Sequence, residues 1–150
     1  MLRARILRAV RSARRFAELA VGARSTFSRV VTESDVRDFA ALTGDDNAIH
    51  LDDGFAATTR FGRRIAHGAL SIGFLAAAQT RLVGSGAVWI DAALRFTAPV
   101  HIGDTVTATS EIIALETDRR TLTVRTTCRV ADGTVVLTGD SRIKHPRELS

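Results

Sequence analysis

Polar and apolar positions along this chain read mostly as helices in the first half, after one short alternating stretch, and as strands in the second. Ser25–Val31 alternates at Phe27, Arg29 and Val31, as a short strand does. Thr32 or Ser34 can then cap a helix running to about Leu42, with Val36, Phe39 and Ala40 facing inward and Gly44 ending it. The polar run Asp45–His50 reads as a loop. Asp52–Thr59 reads as a short second helix, with Asp52 and Asp53 near its positive end. Gly68–Leu82 is apolar on nearly every face, the mark of a buried helix, and Gly73 within it is expected to let a sheet approach closely. After the turn at Gly84-Ser85-Gly86, four strand-like stretches follow: Val88–Phe96, Thr105–Glu116, Arg120–Val130 and Thr134–Ile143. The last two meet across Asp132-Gly133, a hairpin signal, with Leu122, Val124, Val135 and Leu137 as inward candidates. Helices first and long antiparallel strands afterwards predict an α+β domain with a helix packed on one sheet face.

Composition changes this picture mainly at the N-terminus. The chain of 150 residues carries a formal charge of +5, but residues 1–24 hold seven arginines against one glutamate, so the remainder sums to −1. The basic character therefore belongs to a leader, residues 1–24, ahead of one domain at 25–150. Leu2, Ile6, Val10, Ala13, Ala17 and Ala20 share a helical face opposite the arginines, as in a mitochondrial transit peptide and a mitochondrial matrix destination. A surface helix of a bacterial cytoplasmic protein, or a start codon chosen too far upstream, also fits. No aromatic or Gly-rich pattern supports a nucleic-acid tail. The longest apolar-rich stretch, about Ala66–Ala78, falls short of the ~20 residues of a membrane span. Cys128 has no partner for a disulfide and reads as a buried thiol. With no second cysteine, and four histidines that lack ligand spacing, no metal site is expected.

The chemistry concentrates in Asp45-Asp46-Asn47-Ala48-Ile49-His50, with His67-Gly68 opening the apolar helix further on. His50 can carry a proton either way near neutrality, and Asp45 can activate or receive a water. Gly68, at a helix start, offers an unpaired N–H that a substrate can approach without meeting a Cβ. Such a set suits adding water to, or removing it from, a carbon beside a thioester carbonyl. Each residue also has a plainer reading. Asp45 suits a turn or cap, His50 a satisfied structural histidine, and Asn47 a turn. Asn47 can instead bind substrate or orient a partner, and His67 can be a ligand or a brace beneath Gly68. Arg60, Arg63 and Arg64, just upstream, either attract phosphates or acidic groups of a substrate carrier or are simply solvated.

The run Phe39–His50, then Phe55-Ala56, Phe61-Gly62 and Ile65-Ala66-His67-Gly68, strongly resembles the MaoC-like, (R)-specific enoyl-thioester hydratases, and Phe96–Asp104 looks like a second signature of that family. The likeness covers about residues 27–145. With the leader, the chain looks most like the mitochondrial members that dehydrate hydroxyacyl thioesters. The resemblance implies a hotdog fold, an antiparallel sheet wrapped around a long central helix, and usually a homodimer. It implies Asp45 and His50 as the catalytic pair, Asn47 as their polar helper and Gly68 as the oxyanion donor. It also implies an acyl thioester on acyl carrier protein or coenzyme A as substrate, with no metal or redox cofactor. The expected activity is reversible dehydration of (3R)-3-hydroxyacyl thioesters, on acyl carrier protein in mitochondrial fatty acid synthesis. An (R)-specific enoyl-CoA hydratase of β-oxidation or polyester supply, and a non-catalytic acyl-binding module, are the alternatives. One departure stands out: members commonly have proline where this chain has Ala48, which loosens φ in the loop but removes no reacting group.

Overall fold

The computed structural model describes residues 14–147. A 3₁₀ turn at Phe16–Glu18 leads into β1 (Arg24–Val30), α1 (Glu33–Thr43), α2 (Ala48–Leu51), α3 (Asp53–Ala57) and α4 (Gly68–Val83). Four strands follow: β2 (Val88–Phe96), β3 (Thr105–Glu116), β4 (Thr121–Arg129) and β5 (Val135–Lys144). They form one antiparallel sheet in the order β1-β3-β4-β5-β2. β3, β4 and β5 pair as consecutive hairpins, while β1 and β2 close the two edges. Helix α4 lies against β1, β3 and β4. This is the expected hotdog arrangement, an α+β fold with the sheet wrapped around its apolar helix.

The core is built along α4. Towards its start and middle, Phe74, Leu75 and Ala78 pack with Val31, Val36, Val106, Val136 and Leu137. Towards its end, Leu82 and Val83 pack with Ile112, Leu122, Val124 and Ile143. Gly139 in β5 lies where the backbone of β2 comes closest: a Cβ there would collide with the Ala93 carbonyl. Gly73 does not have the expected role, since a Cβ added to it would meet nothing within 4 Å. Val135 is only half-buried, whereas Val136 and Leu137 are both buried. The β4–β5 ladder slips there, pairing Cys128 with Leu137 but Arg129 with Val135, and the bulge turns Val136 inward.

The first described residues differ from the expected amphipathic helix. Phe16 and Leu19, not Ala17 and Ala20, are buried, and both join the cluster at the end of α4. The Gly22 N–H donates to the Ile112 carbonyl at 2.8 Å. Among the described residues the packing thus reaches back to Phe16, within the segment 1–24 read as a leader. The most Arg-rich part of the leader, residues 1–13, lies outside the described residues. Among the described residues no helix is long and apolar enough to cross a membrane. Cys128 is buried, and burial pushes its thiol up to about 11.

Candidate active site

Helix capping builds the site. At the start of α1 the Thr32 hydroxyl accepts the Asp35 N–H at 3.1 Å, and the Asp35 carboxylate accepts the Thr32 N–H at 2.9 Å. At its end Gly44 takes φ +78°, a left-handed conformation that glycine adopts without strain, and reverses the chain. Asn47 then accepts the Ile49 N–H on its side-chain oxygen at 3.2 Å and starts α2, where a loop was expected. That single helical turn swings His50 inward, leaving it 8% exposed.

His50 Nδ1 lies 2.7 Å from the Ile65 carbonyl. A carbonyl only accepts, so Nδ1 carries the hydrogen and the neutral ring presents its lone pair at Nε2. His67, the residue before α4, follows the same logic: Nε2 donates to the Asp45 carbonyl at 2.9 Å, which leaves the lone pair on Nδ1. That Nδ1 is buried without a hydrogen-bond partner. The two imidazoles lie 3.9 Å apart between centroids, inclined at 32°, and Phe39 packs on the other ring contact of His67 at 4.8 Å. The Asp45 carboxylate is exposed at the edge of this stack. One donor atom from each of Asp45, His50 and His67 lies within 4.8 Å of the others. Burial holds the His50 imidazole below its ordinary pKa, and His67 adds to the effect. The Ile65 carbonyl and the Asp45 charge act in the opposite direction. The net result is a neutral ring at pH 7, a base ready to accept a proton.

A cavity of about 780 Å³ opens beside His50, His67 and Gly68, with Phe61, Ile72, Phe96 and Val136 among its apolar walls. Its size is that of a small-molecule site. Gly68 faces Phe96 so closely that a Cβ would stand 2.7 Å from the ring's Cε1. As the first residue of α4, Gly68 has an N–H that no carbonyl of the helix can accept, at the positive end of the helix dipole.

A MaoC like domain matches residues 17–134. An (R)-specific enoyl-CoA hydratase of Rhodospirillum rubrum is 43% identical over 132 residues, 87% of this chain and 91% of that protein. A 3-hydroxybutyryl-CoA dehydratase of Methylorubrum extorquens is 45% identical over 134 residues, 89% and 85% of the two chains. The solved (R)-hydratase from A. caviae involved in PHA biosynthesis superposes with a TM-score of 0.82 at 37% identity, covering 86% of this chain and 98% of that one. The chain belongs to the MaoC-like family. It is a hydro-lyase of the hydratase–dehydratase type.

The remaining expected residues of this MaoC-like chain are placed unevenly. Asn47 caps α2, so its side-chain oxygen holds the backbone that carries His50. Ala48 is the first residue of that turn, where proline fits a helix without losing an internal hydrogen bond. Arg64 does not face the site as a free cation. Its guanidinium grips Glu33 through two bonds of 3.0 and 2.8 Å and Asp53 through one of 2.7 Å, tying α1 and α3 to the segment before α4. Arg63 is exposed and is not part of the cavity wall. Arg60 is, with its guanidinium 4.8 Å over the Phe61 ring. In the second signature Phe96, Pro99 and Val100 line the cavity. His101 bridges to Ile65 and bonds the Arg64 carbonyl through Nδ1 at 3.1 Å, bracing the strand-like approach to His67. Phe96 and Phe61 were not singled out by chemistry in the sequence. They are apolar walls, and only their meeting around Gly68 and Arg60 gives them a place in the site.

Proposed function

We propose that this MaoC-like hydro-lyase interconverts (3R)-3-hydroxyacyl-CoA and trans-2-enoyl-CoA. The observation that carries the reading is the meeting of a neutral, tautomer-fixed imidazole and a helix-start N–H at one apolar cavity, with the Asp45 carboxylate close to that imidazole though outside the cavity wall. In the dehydration direction His50 Nε2 removes the proton at C2, and the Gly68 N–H takes the negative charge that builds on the thioester oxygen. Asp45, in its protonated form, supplies the proton for the departing C3 hydroxyl. Hydration runs the same steps backwards, with Asp45 activating the water.

Coenzyme A is favoured over acyl carrier protein as the carrier because the two bacterial relatives described above bear CoA substrates in their names. The mitochondrial carrier-protein reading drew on the leader, yet removal of residues 1–24 would strip Phe16 and Leu19 from the core. Edge strand β2 exposes Val88 and Ile90, at 57% and 51%, and Phe96 nearby at 54%, which supports pairing with a second copy. The test is turnover of crotonyl and longer enoyl thioesters on both carriers, with chiral analysis of the 3-hydroxy product. An (S) product, or no turnover on either carrier, overturns the reading.

A further inference from the structure

His67 has no task in the chemistry proposed above, yet it meets every group that has one. Its peptide runs directly into Gly68, the oxyanion donor. Its ring stacks on His50 at 3.9 Å between centroids, with Phe39 of α1 at 4.8 Å. Its Nε2–H donates to the Asp45 carbonyl at 2.9 Å, across twenty-two positions of sequence. The backbone beneath it is fixed: the Ala66 N–H donates to the Val100 carbonyl at 2.7 Å, and the His67 carbonyl accepts the Leu70 N–H at 3.0 Å. Asp45 itself is held locally, its N–H donating to the Thr43 hydroxyl at 3.2 Å. The His67 bond ties that residue across the fold to the start of α4.

Two features single out that bond. A residue that opens a helix ordinarily turns its side chain back to accept one of the first free N–H groups. His67 opens α4 without doing so. Its Nδ1 is buried, in a residue only 2% exposed, and has no hydrogen-bond partner. An unsatisfied acceptor in the interior is costly. A phenyl ring would fill the same space against Phe39 and His50 without that cost. What imidazole adds over phenyl is the N–H given to Asp45. We propose that His67 is a positioning residue: its bond to the Asp45 carbonyl sets where the Asp45 carboxylate stands relative to His50 and the Gly68 N–H. The role rests on the catalytic assignments of Asp45 and His50 made above. Asp45 is exposed, and a misplacement of about 1 Å between reacting groups can cost ~10²-fold in rate. The tie from His67 limits that drift.

The test separates the tie from the ring, in the full chain. His67→Phe keeps an aromatic ring beside His50 and removes the N–H. His67→Gln places an amide N–H near the position of the imidazole Nε2 and removes the ring. On crotonyl-CoA, His67→Phe should lower kcat by about 10²-fold with KM little changed, and His67→Gln should recover at least about tenfold of that loss. In the Asp45→Asn background His67→Phe should cost little more, because a residue that acts through Asp45 then has nothing left to position. The wild-type chain gives a reading that no folding failure can spoil: long-range proton–nitrogen NMR spectra should show His67 as the Nε2–H tautomer, with that ring proton slow to exchange. A His67→Phe variant within about threefold of wild-type kcat, or a full further loss in the Asp45→Asn background, overturns the role. So do equal losses in the Phe and Gln variants, or the Nδ1–H tautomer. A wild type that turns over no thioester overturns the proposed function and this role with it. An active wild type with an indifferent His67→Phe variant overturns this role alone.

Discussion

The His50 and His67 imidazoles stack at 3.9 Å between ring centroids, and each is anchored to the backbone through the nitrogen that faces away from its own lone pair. Two rings so placed cannot both be charged at little cost, because a second cation would be formed beside the first. Burial and the neighbouring His67 ring therefore favour neutral His50, and neutral imidazole is what a base at C2 requires.

Below neutrality this sets the pH response. His50 in the folded protein titrates below its ordinary value of 6.5, with burial as the largest cause. The acid limb of kcat/KM should have its midpoint below 6.5, and the His50 ring signal followed by NMR should titrate with it. Stability follows in sign: the unfolded ring takes its proton first. Lowering the pH from about 6.5 should therefore cost folding free energy until the folded ring is protonated too, after which this contribution stays lost. A His50 midpoint above 6.5 would contradict the burial argument.

Asp45→Asn and His50→Ala should each reduce kcat by ~10²–10⁴-fold, the range of acid–base groups. Circular dichroism should show both variants folded. A variant that keeps more than about a tenth of wild-type kcat removes that residue from the proposed chemistry.

Gly68 gives a sharper test than its N–H alone suggests. A side chain at this position meets Phe96 before it meets substrate, and that ring is half exposed, so it can swing aside into the cavity. Gly68→Ala should lower kcat/KM by on the order of 10-fold or more, within the scale of a lost oxyanion contact, while the melting temperature changes little. Adding Phe96→Ala should recover part of the loss. No recovery would mean that the methyl itself, not the displaced ring, blocks the thioester.

Arginine substitutions should separate support from recognition. Arg64→Gln breaks its bonds to Glu33 and Asp53 and should lower the melting temperature by roughly 2–4 °C or more. Arg60→Gln, at the cavity wall, should raise KM for a CoA thioester with little change in kcat. Rising salt should mimic it, since exposed charges are screened over ~8–10 Å. A salt-insensitive KM would remove Arg60 from carrier binding.

Ala48→Pro should stabilise the chain by about 0.4–1 kcal/mol and leave the stereochemistry of turnover unchanged. Ala48 opens α2, and Asn47 before it already has φ −54° and ψ 127°, the extended conformation that a following proline demands. A drop in melting temperature would show that the loop needs the Ala48 N–H or a different φ.

The sequence by itself determined the elements and the family. Strand-like composition at Val88–Phe96 and Thr105–Glu116 marked two strands whose bounds match, and a Gly68–Leu82 stretch apolar on nearly every face marked the buried helix, because burial acts directly on residue type. The motif from Asp45 to Gly68 was legible for a related reason: a carboxylate, an imidazole and a helix-opening glycine sit where no apolar period accounts for them. Tertiary structure decided the rest. His67 shows its ring against His50 only once α2 and the start of α4 converge. Arg64 changes from candidate phosphate ligand to internal tie because Glu33 lies thirty-one positions away in sequence but within 2.8 Å in space. Phe16 joins the core and Val136 turns inward through a long-range contact and a ladder slip, neither of which leaves a local pattern. Local propensity is written in neighbouring residues, while tautomers, ion pairs and cavity walls depend on which distant residues the sheet brings against one helix.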